Sequence, residues 1–144
     1  MLALAYEMCN REQDALRVYE RLAQENSEVP DLLARLGNQA LALKRTDRAL
    51  RFYEMALRKD PRNPVALKGS AQVYAWNNAP EKAIRRLEQY NRLHPDDPQA
   101  RYQLGELYFE NGRKGEAQGE YRKALSLIEK RRRAMKSQGT ADPQ

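Results

Sequence analysis

The side chains that could carry out chemistry in this sequence are few and scattered. The chain of 144 residues contains one histidine, His94, and one cysteine, Cys9. Neither has partners at the spacing of a metal site or of a nucleophile and its base, so we interpret His94 as a helix-end residue and Cys9 as a small, half-buried one. The adjacent Asp96 and Asp97 lie between two prolines, which favours a helix N-terminal cap over an acid–base pair. The sequence therefore predicts no catalytic residue, no metal ligand and no cofactor, and we expect the protein not to be an enzyme.

Basic residues are the second candidate for chemistry, because the net charge is +6. Residues 129–144 carry +3 of this charge, mainly in the four consecutive cations at 130–133. Such a run complements the exposed carbonyl groups at the end of a helix, which is the interpretation that we favour. Arg17, Arg51 and Arg85 lie 34 residues apart, and each precedes a glutamate by three residues. We therefore expect i,i+3 ion pairs on a solvated helical surface.

A period of 34 residues organises the whole sequence. Alanine recurs at this interval, and a large apolar residue follows each alanine by four positions. The alanines are Ala15, Ala49, Ala83 and Ala117, and the apolar residues are Tyr19, Tyr53, Leu87 and Tyr121. An uninterrupted period of this length indicates one supersecondary unit that is copied and stacked. The small residues allow two helices to approach closely, since a larger side chain there would overpack their crossing.

Each copy has the pattern of a helical hairpin. Leu33, Leu36 and Ala40 share one helix face by their spacing. Prolines open the first helices of three copies, where a missing N–H would have no partner in any case: Pro30, Pro64 and Pro98. No segment alternates with period two, so we predict no sheet. The predicted helices lie near residues 1–9, 12–25, 31–43, 47–59, 64–77, 80–93, 98–111 and 114–134.

Two copies carry a complete set of residues at matched offsets. The second reads Leu36-Gly37-x-x-Ala40 and then Ala49-x-x-x-Tyr53, and the fourth reads Leu104-Gly105-x-x-Tyr108 and then Ala117-x-x-x-Tyr121. This pattern resembles the tetratricopeptide repeat (TPR). The third copy departs from it, with Ser70-Ala71 in place of Leu-Gly. The resemblance implies an all-α fold, a right-handed α-solenoid of antiparallel helix pairs with about 3.5 repeats.

One array of repeats and a short tail make up the predicted domain organisation. The array covers residues 1–136 and includes a helix extension after the last repeat. Residues 137–144 have nothing to bury in a core and are predicted to be a disordered tail. The start of the sequence aligns with the middle of a first helix, so we expect either that the chain comes from a longer array or that its series of repeats begins with an incomplete one. No apolar run approaches the length of a membrane-spanning helix. The predicted repeats cover residues 1–29, 30–63, 64–97 and 98–131.

The resemblance also implies where a partner binds. TPR proteins usually bind peptides or partner proteins on a concave face, which the first helices of the repeats line. Side chains of aromatic, cationic and amide type suit extended peptides or sugars there, through stacking and hydrogen bonds. For Trp76, packing between repeats is the alternative interpretation. The residues predicted to contact a protein partner are Arg35, Asn38, Lys68, Gln72, Trp76, Tyr102, Gln103 and Glu106, with Ala42 and Phe109 on the same face.

One TPR subclass is excluded by its residues. TPR domains that clamp the C-terminal carboxylate of heat-shock chaperones use a lysine and an asparagine four residues apart in one copy, an asparagine in the next, and a lysine and an arginine four apart in the third. The corresponding residues here are Ala34 and Asn38, Gly69, then Gln99 and Gln103. Only Asn38 matches, so we predict that the protein is not a chaperone carboxylate clamp.

A second resemblance concerns the cellular context. Tyr74-Ala75-Trp76 followed by Pro80-Glu81-Lys82-Ala83-Ile84 is similar to repeats in the periplasmic scaffold regions of bacterial exopolysaccharide exporters of the Pel, cellulose and poly-N-acetylglucosamine types. It implies a scaffold in the periplasm that recruits a polymer-modifying enzyme or export component, or contacts the polysaccharide itself. The cytoplasm is the alternative location.

The predicted function is a non-catalytic protein–protein interaction scaffold within such a secretion assembly. The alternative is a helical repeat that binds nucleic acid or another polyanion through a basic convex face and the C-terminal basic run, with nucleic acid the less favoured partner. Salt separates the two, because binding to phosphates weakens log-linearly with salt concentration.

The alanine column yields a stability prediction. Ala49→Arg should destabilise the array by roughly 2–4 kcal/mol, because it overpacks a helix crossing and buries a charge. Gln118→Arg, one residue after Ala117 and outside the column, should be nearly neutral. Urea unfolding of the two variants measures the difference, and equal stabilities would contradict the proposed register.

Overall fold

The computed structural model describes the backbone of residues 2–140 and the side chains of residues 8–139. This part of the chain is helical between its turns and contains no strand. Its seven helices are α1 (Leu2–Glu25), α2 (Pro30–Ala42), α3 (Thr46–Lys59), α4 (Pro64–Trp76), α5 (Pro80–Leu93), α6 (Pro98–Glu110) and α7 (Lys114–Thr140). The predicted all-α solenoid is confirmed.

Three hairpins follow one another along the chain: α2 with α3, α4 with α5, and α6 with α7. Each hairpin turns through one residue with a positive φ angle, and these residues are Lys44, Asn78 and Gly112. Successive hairpins also pack together, α3 on α4 and α5 on α6, so the core is a ribbon between repeats.

The turns between hairpins use side-chain caps. Asn63 accepts a hydrogen bond from the backbone N–H of Ala66 at the start of α4, and Asp97 accepts one from Ala100 at the start of α6. A side-chain oxygen in this position satisfies an N–H group that has no partner within the helix. Asp97, in the predicted pair of adjacent acids, is thus confirmed as a cap.

The ring of Tyr53 lies where α2, α3 and α4 meet. A Cβ atom on Gly37 would lie 2.5 Å from Cδ1 of this ring, and a Cβ atom on Gly69 would overlap the ring as well. Tyr53 is fully buried, so its ring has little freedom to move aside. Burial raises the pKa of Tyr53 to about 12, and its hydroxyl donates a 2.6 Å hydrogen bond to Oδ1 of Asn38. The two glycines therefore allow three helices to pack around one aromatic side chain.

The third repeat fills the same space with different residues. In the fourth repeat a Cβ atom on Gly105 would lie 2.6 Å from Cε1 of the Tyr121 ring, as at Gly37 and Tyr53. In the third repeat Leu87 occupies the tyrosine column and Ala71 the glycine column, and both are buried. Because leucine is shorter than tyrosine, it leaves room for the Cβ atom of Ala71. The third repeat therefore replaces both the glycine and the tyrosine, and the two new side chains fit each other.

The first repeat differs from the prediction. The sequence predicts separate helices at 1–9 and 12–25, whereas α1 is one continuous helix. Asn10 stands in the column of the positive-φ turn residues, yet no proline or glycine interrupts the helix there. The continuous helix keeps its i→i+4 hydrogen bonds, and a folded-back segment of about two turns would bury too little surface to offset the turn.

The last helix is longer than predicted. It continues to Thr140, whereas the predicted helix ends near residue 134. Helices α3 and α5 end before Pro61 and Pro95, but Glu129 stands at the corresponding position, so the hydrogen-bond ladder is not interrupted. Residues 137–140 of the predicted disordered tail are therefore helical, and residues 141–144 lie outside the described part of the chain.

Several ion pairs join neighbouring repeats, although Arg17, Arg113 and Lys123 each pair with an acidic residue three positions away, Arg17 with Asp14 rather than with the predicted Glu20. The predicted partners within a helix are replaced: Arg51 pairs with Glu20 at 3.0 Å, and Arg86, which follows the predicted Arg85, pairs with Glu54 at 2.8 Å. Second helices of successive repeats lie close enough for side chains to reach across. Half-exposed pairs of this kind contribute about 0–1 kcal/mol each to stability, so they provide only a small part of the free energy that holds the repeats together.

The contact between Gly37 and Tyr53 can be tested by a double-mutant cycle. Gly37→Ala should destabilise the protein by about 1–3 kcal/mol, because the new methyl group overlaps a buried ring. In the Tyr53→Leu background the same change should have much less effect, since leucine leaves room as it does beside Ala71. Urea unfolding of the four proteins gives the coupling free energy.

The matched control is Gly119→Ala in α7, where a Cβ atom would meet nothing within 4 Å. This change should stabilise the helix by about 0.5–1 kcal/mol. A coupling free energy of zero between Gly37 and Tyr53 would contradict the proposed packing.

Candidate partner-binding groove

A cavity of about 370 Å³ opens between α4 and α6, and we call it the concave groove. Six of the eight residues predicted to contact a partner line it together. These six are Lys68, Gln72, Trp76, Tyr102, Gln103 and Glu106. Their assembly in one cavity follows from the 34-residue period, which places equivalent positions of successive first helices side by side. Their role in binding stays a prediction.

Two aromatic side chains of the groove are open to solvent. Trp76 is 58 % exposed and Tyr102 is 53 % exposed. The alternative interpretation of Trp76, that it packs between repeats, is therefore wrong. Large apolar side chains that remain exposed at a cavity are suited to contact a ligand.

The cationic group of the groove is held by its neighbours. Nζ of Lys68 lies 3.4 Å from a carboxylate oxygen of Asp97 and 5.2 Å from the centre of the Tyr90 ring. The same carboxylate oxygen accepts a 2.7 Å hydrogen bond from the Tyr90 hydroxyl. Burial opposes the ionisation of Asp97, but the hydrogen bonds from Tyr90 and Ala100 and the charge of Lys68 outweigh it, so the pKa of Asp97 is lowered. Burial and the bond to Asp97 raise the pKa of Tyr90 to about 12.

The acidic group of the groove is also engaged. Glu106 accepts a hydrogen bond from the hydroxyl of Tyr121, which raises the pKa of Tyr121 to about 12. The Tyr121 ring in turn packs against the ring of Tyr102, with 5.6 Å between their centres. Lys68 and Glu106 are therefore polar groups of the groove that neighbouring side chains hold in place.

The remaining predicted residues lie elsewhere on the solenoid. Arg35 and Asn38 are exposed on α2, outside the concave groove, and Asn38 is occupied by Tyr53. Phe109 also lies outside it. Phe109 lines a second cavity of about 820 Å³ between α6 and α7, which we call the terminal groove.

The floor of the concave groove was not predicted from the sequence. Ala71, Ala75, Leu87 and Leu107 contribute its apolar surface, and Glu110 lies at its edge. The first four are core residues by their spacing, and only the gap between α4 and α6 exposes part of them. The residues that share a repeat column differ in size, and this difference could have indicated the gap between α4 and α6.

The candidate residues for metal or nucleophile chemistry, Cys9 and His94, do not line the concave groove. Cys9 is exposed, contrary to the half-buried position that was predicted for it. His94 follows the last residue of α5, as predicted, and its ring packs 4.9 Å from that of Tyr90. Among the described residues, no three His, Cys, Asp or Glu side chains form a set that could hold a metal ion. None of the described helices has the length and hydropathy needed to cross a membrane.

A stack of helical hairpins with an open concave face defines the class of α-solenoid interaction proteins. Profiles of the tetratricopeptide repeat match residues 40–99 and 77–136, and a further profile of the same description matches residues 2–64. The chain therefore belongs to the tetratricopeptide repeat family, whose members are typically non-enzymatic protein-interaction domains.

Solved structures with the same fold include other TPR proteins. A MamA structure has a TM-score of 0.78 at 20 % identity and covers 89 % of this chain and 75 % of its own. MamA from Desulfovibrio magneticus RS-1 has a TM-score of 0.74 at 19 % identity, with 88 % and 72 % coverage. YrrB, described as a TPR protein with an unusual peptide-binding site, has a TM-score of 0.70 at 23 % identity, with 77 % and 57 % coverage. At these identities the likeness concerns the fold alone.

Curated relatives include subunit 2-A of the ER membrane protein complex of Xenopus laevis. It is 28 % identical over 100 residues, which is 69 % of this chain and 34 % of the relative. Subunit 2 of the same complex from Xenopus tropicalis matches with the same identity and coverage. This chain thus spans about a third of the length of the curated relatives it matches.

The environment of Asp97 yields a prediction on pH dependence. Its pKa is lower in the folded protein than in the unfolded chain, where a carboxyl group titrates near about 3.9. The charged Asp97 should therefore stabilise the fold at neutral pH, and this contribution should be lost as the pH falls through the folded-state pKa. Asp97→Asn, which keeps a cap but removes the charge, should destabilise the protein by about 1 kcal/mol at pH 7 and by less at pH 3.

Urea unfolding at the two pH values measures this difference. Asp96→Asn is the matched control, because it removes the same charge from the exposed residue that directly precedes Asp97. An equal effect at both pH values, or an equal effect of the two substitutions, would contradict the assignment.

Proposed function

We propose that the concave groove binds a short extended segment of a partner protein and that the chain acts as a non-catalytic scaffold. The observation that carries this proposal is the exposure of Trp76 and Tyr102 at one cavity with an apolar floor. Rigid aromatic side chains offer much contact area for little loss of conformational entropy, and they often dominate binding energy. A volume of about 370 Å³ lies in the range of small ligand sites and has room for peptide side chains.

The polar groups of the groove favour a peptide over a polyanion. Lys68 is already paired with Asp97, so it offers little uncompensated positive charge. Glu106 adds a negative charge to the same cavity. Gln72 and Gln103 can each donate and accept hydrogen bonds, which matches the N–H and C=O groups of an extended backbone.

The polyanion-binding alternative depends on cations outside the groove. Arg51 and Arg86 are each paired with a glutamate of the preceding repeat, which lowers the positive potential of that surface. The exposed Lys130, Arg132 and Arg133 near the end of α7 are the feature that most favours this alternative. A salt titration of binding distinguishes it, since counterion release gives a steep log-linear loss of affinity.

A role in exopolysaccharide export, with a location in the periplasm, is a finer proposal. It rests on the segment Tyr74–Ile84 of the sequence, and the relatives named above do not bear on it. Recruitment of a polymer-modifying enzyme would use the same concave groove, and Trp76 could also stack on a sugar ring. Titration with oligosaccharides of the three polymer types tests direct contact with polysaccharide.

Trp76 provides the assay for groove occupancy. It is the one tryptophan of the sequence, so its fluorescence reports on the concave groove alone. Peptides selected from a random display library on the whole protein should change its emission when they bind. Binding without any change in emission would place the partner outside the groove.

Substitutions in the groove should weaken such a peptide without unfolding the protein. Tyr102→Ala and Trp76→Ala should each reduce the affinity by about 1–3 kcal/mol in calorimetry, because both are exposed aromatic side chains of the concave groove. Arg85→Glu, at an exposed position on α5, should have little effect. The reverse result, with loss of binding in Arg85→Glu and none in Tyr102→Ala, would place the partner on the outer surface.

A further inference from the structure

The terminal groove is an uncovered copy of an interface that is covered in the inner repeats. Leu57, Asn91 and Leu125 occupy the same repeat column. Leu57 is 6 % exposed and Asn91 is 3 % exposed, because α4 and α6 pack over the hairpins that hold them. Asn91 is buried although its amide has no hydrogen-bond partner in the described structure, so the covering helix and not the residue type decides the burial. Leu125 is 60 % exposed.

The apolar surface of this groove is larger than one side chain. Phe109 and Ile128 are each at least half exposed beside Leu125, and the cavity they line measures about 820 Å³. The helix α7 does not turn back over the cavity but continues past it to Thr140. Met135 extends the apolar stripe along this part of α7 and is exposed too. An apolar face of this kind marks an interaction surface.

The two ends of this face carry opposite charges. Glu106 lines the terminal groove, and the exposed Glu110 lies one turn further along α6, towards the start of α7 and beside the concave groove. At the other end α7 carries the exposed cations Lys130, Arg132 and Arg133. A two-fold rotation about an axis through the middle of the groove would place the basic end of one copy against the acidic end of another. The face is therefore complementary to itself, as an isologous dimer interface must be.

We propose that the terminal groove is a self-association surface on which a second copy of this chain packs its own α6 and α7. The two α7 helices run antiparallel, and the extension of each helix beyond Ile128 covers part of the groove of the other copy. Leu125, Ile128 and Phe109 form the apolar centre, and the charged ends lie at the rim. The interface lies between α6 and α7 and the concave groove between α4 and α6, so the two cavities adjoin at α6 and share the lining residues Tyr102 and Glu106.

Sedimentation equilibrium tests the proposal on the whole chain. Over a dilution series from about 1 mM to about 1 μM, the wild-type protein should change from twice the mass of the chain to the single mass. Leu125→Glu and Phe109→Glu should each raise the dimer dissociation constant about tenfold or more, since they place charges at the centre of an apolar contact. Both positions are exposed, so the melting curve of the monomer should be unchanged. Trp76→Ala, which lies outside the terminal groove, should leave the dimer intact.

Charge reversal tests the two-fold arrangement. Glu110→Lys and Arg132→Glu should each weaken the dimer, because like charges then meet at both rims. An equimolar mixture of the two variants should form a heterodimer with both rims restored and an affinity close to that of the wild-type protein. Peptide binding by Leu125→Glu, followed by Trp76 fluorescence, should be unchanged, which keeps this test separate from that of the concave groove.

Three results would overturn the proposal. A wild-type protein that is monomeric over the whole series would show that this face does not bind a second copy of the chain. Assemblies that grow beyond two chains would indicate head-to-tail docking. A dimer that Leu125→Glu and Phe109→Glu do not weaken would lie on another surface.

Discussion

The close approach of three helices around the ring of Tyr53 is the constraint on which the rest of this structure depends. Gly37 and Gly69 have no side chain, and for that reason α2 and α4 can both lie against the ring. The hydrogen bond from Tyr53 to Asn38 fixes the ring in the plane between these helices. A packed core leaves no spare volume, so each repeat must match the size of its own pair of residues. The exchange of tyrosine and glycine for Leu87 and Ala71 in the third repeat shows the same rule.

The spacing of the first helices follows from this packing and creates the concave groove. Arg35, Gly69 and Gln103 occupy one repeat column. Gly69 allows α4 to contact α2, whereas α4 and α6 lie farther apart and leave a cavity between them. Trp76 and Tyr102 remain exposed there because no neighbouring helix is near enough to cover them. An open groove thus arises at the junction where the small residue is missing.

A solenoid also leaves an uncovered interface wherever its stacking stops. Each inner hairpin has both faces covered by its neighbours, but the hairpin of α6 and α7 has one covered face and one exposed face. The ion pairs between repeats are too weak and too exposed to decide how this stacking proceeds. Apolar burial decides it, and the same force that joins the repeats makes the terminal groove a surface for association. The basic end of α7 then determines orientation more than affinity.

The 34-residue period was sufficient to predict the helical hairpins and the alanine column, because these features repeat and depend on local spacing. The resemblance to the TPR implied the six residues that share the concave groove. The predicted break between the helices at 1–9 and 12–25 and the predicted end of the last helix near residue 134 were both wrong. A turn forms only where enough surface is buried to offset its conformational cost, and a helix without proline continues until something stops it. The partners of the arginines and the gap between α4 and α6 depend on distances between repeats, which no single repeat encodes. Sequence by itself determined the repeating unit, and only the packing of one unit on the next decided which surfaces stay open, because burial is a property of neighbours in space.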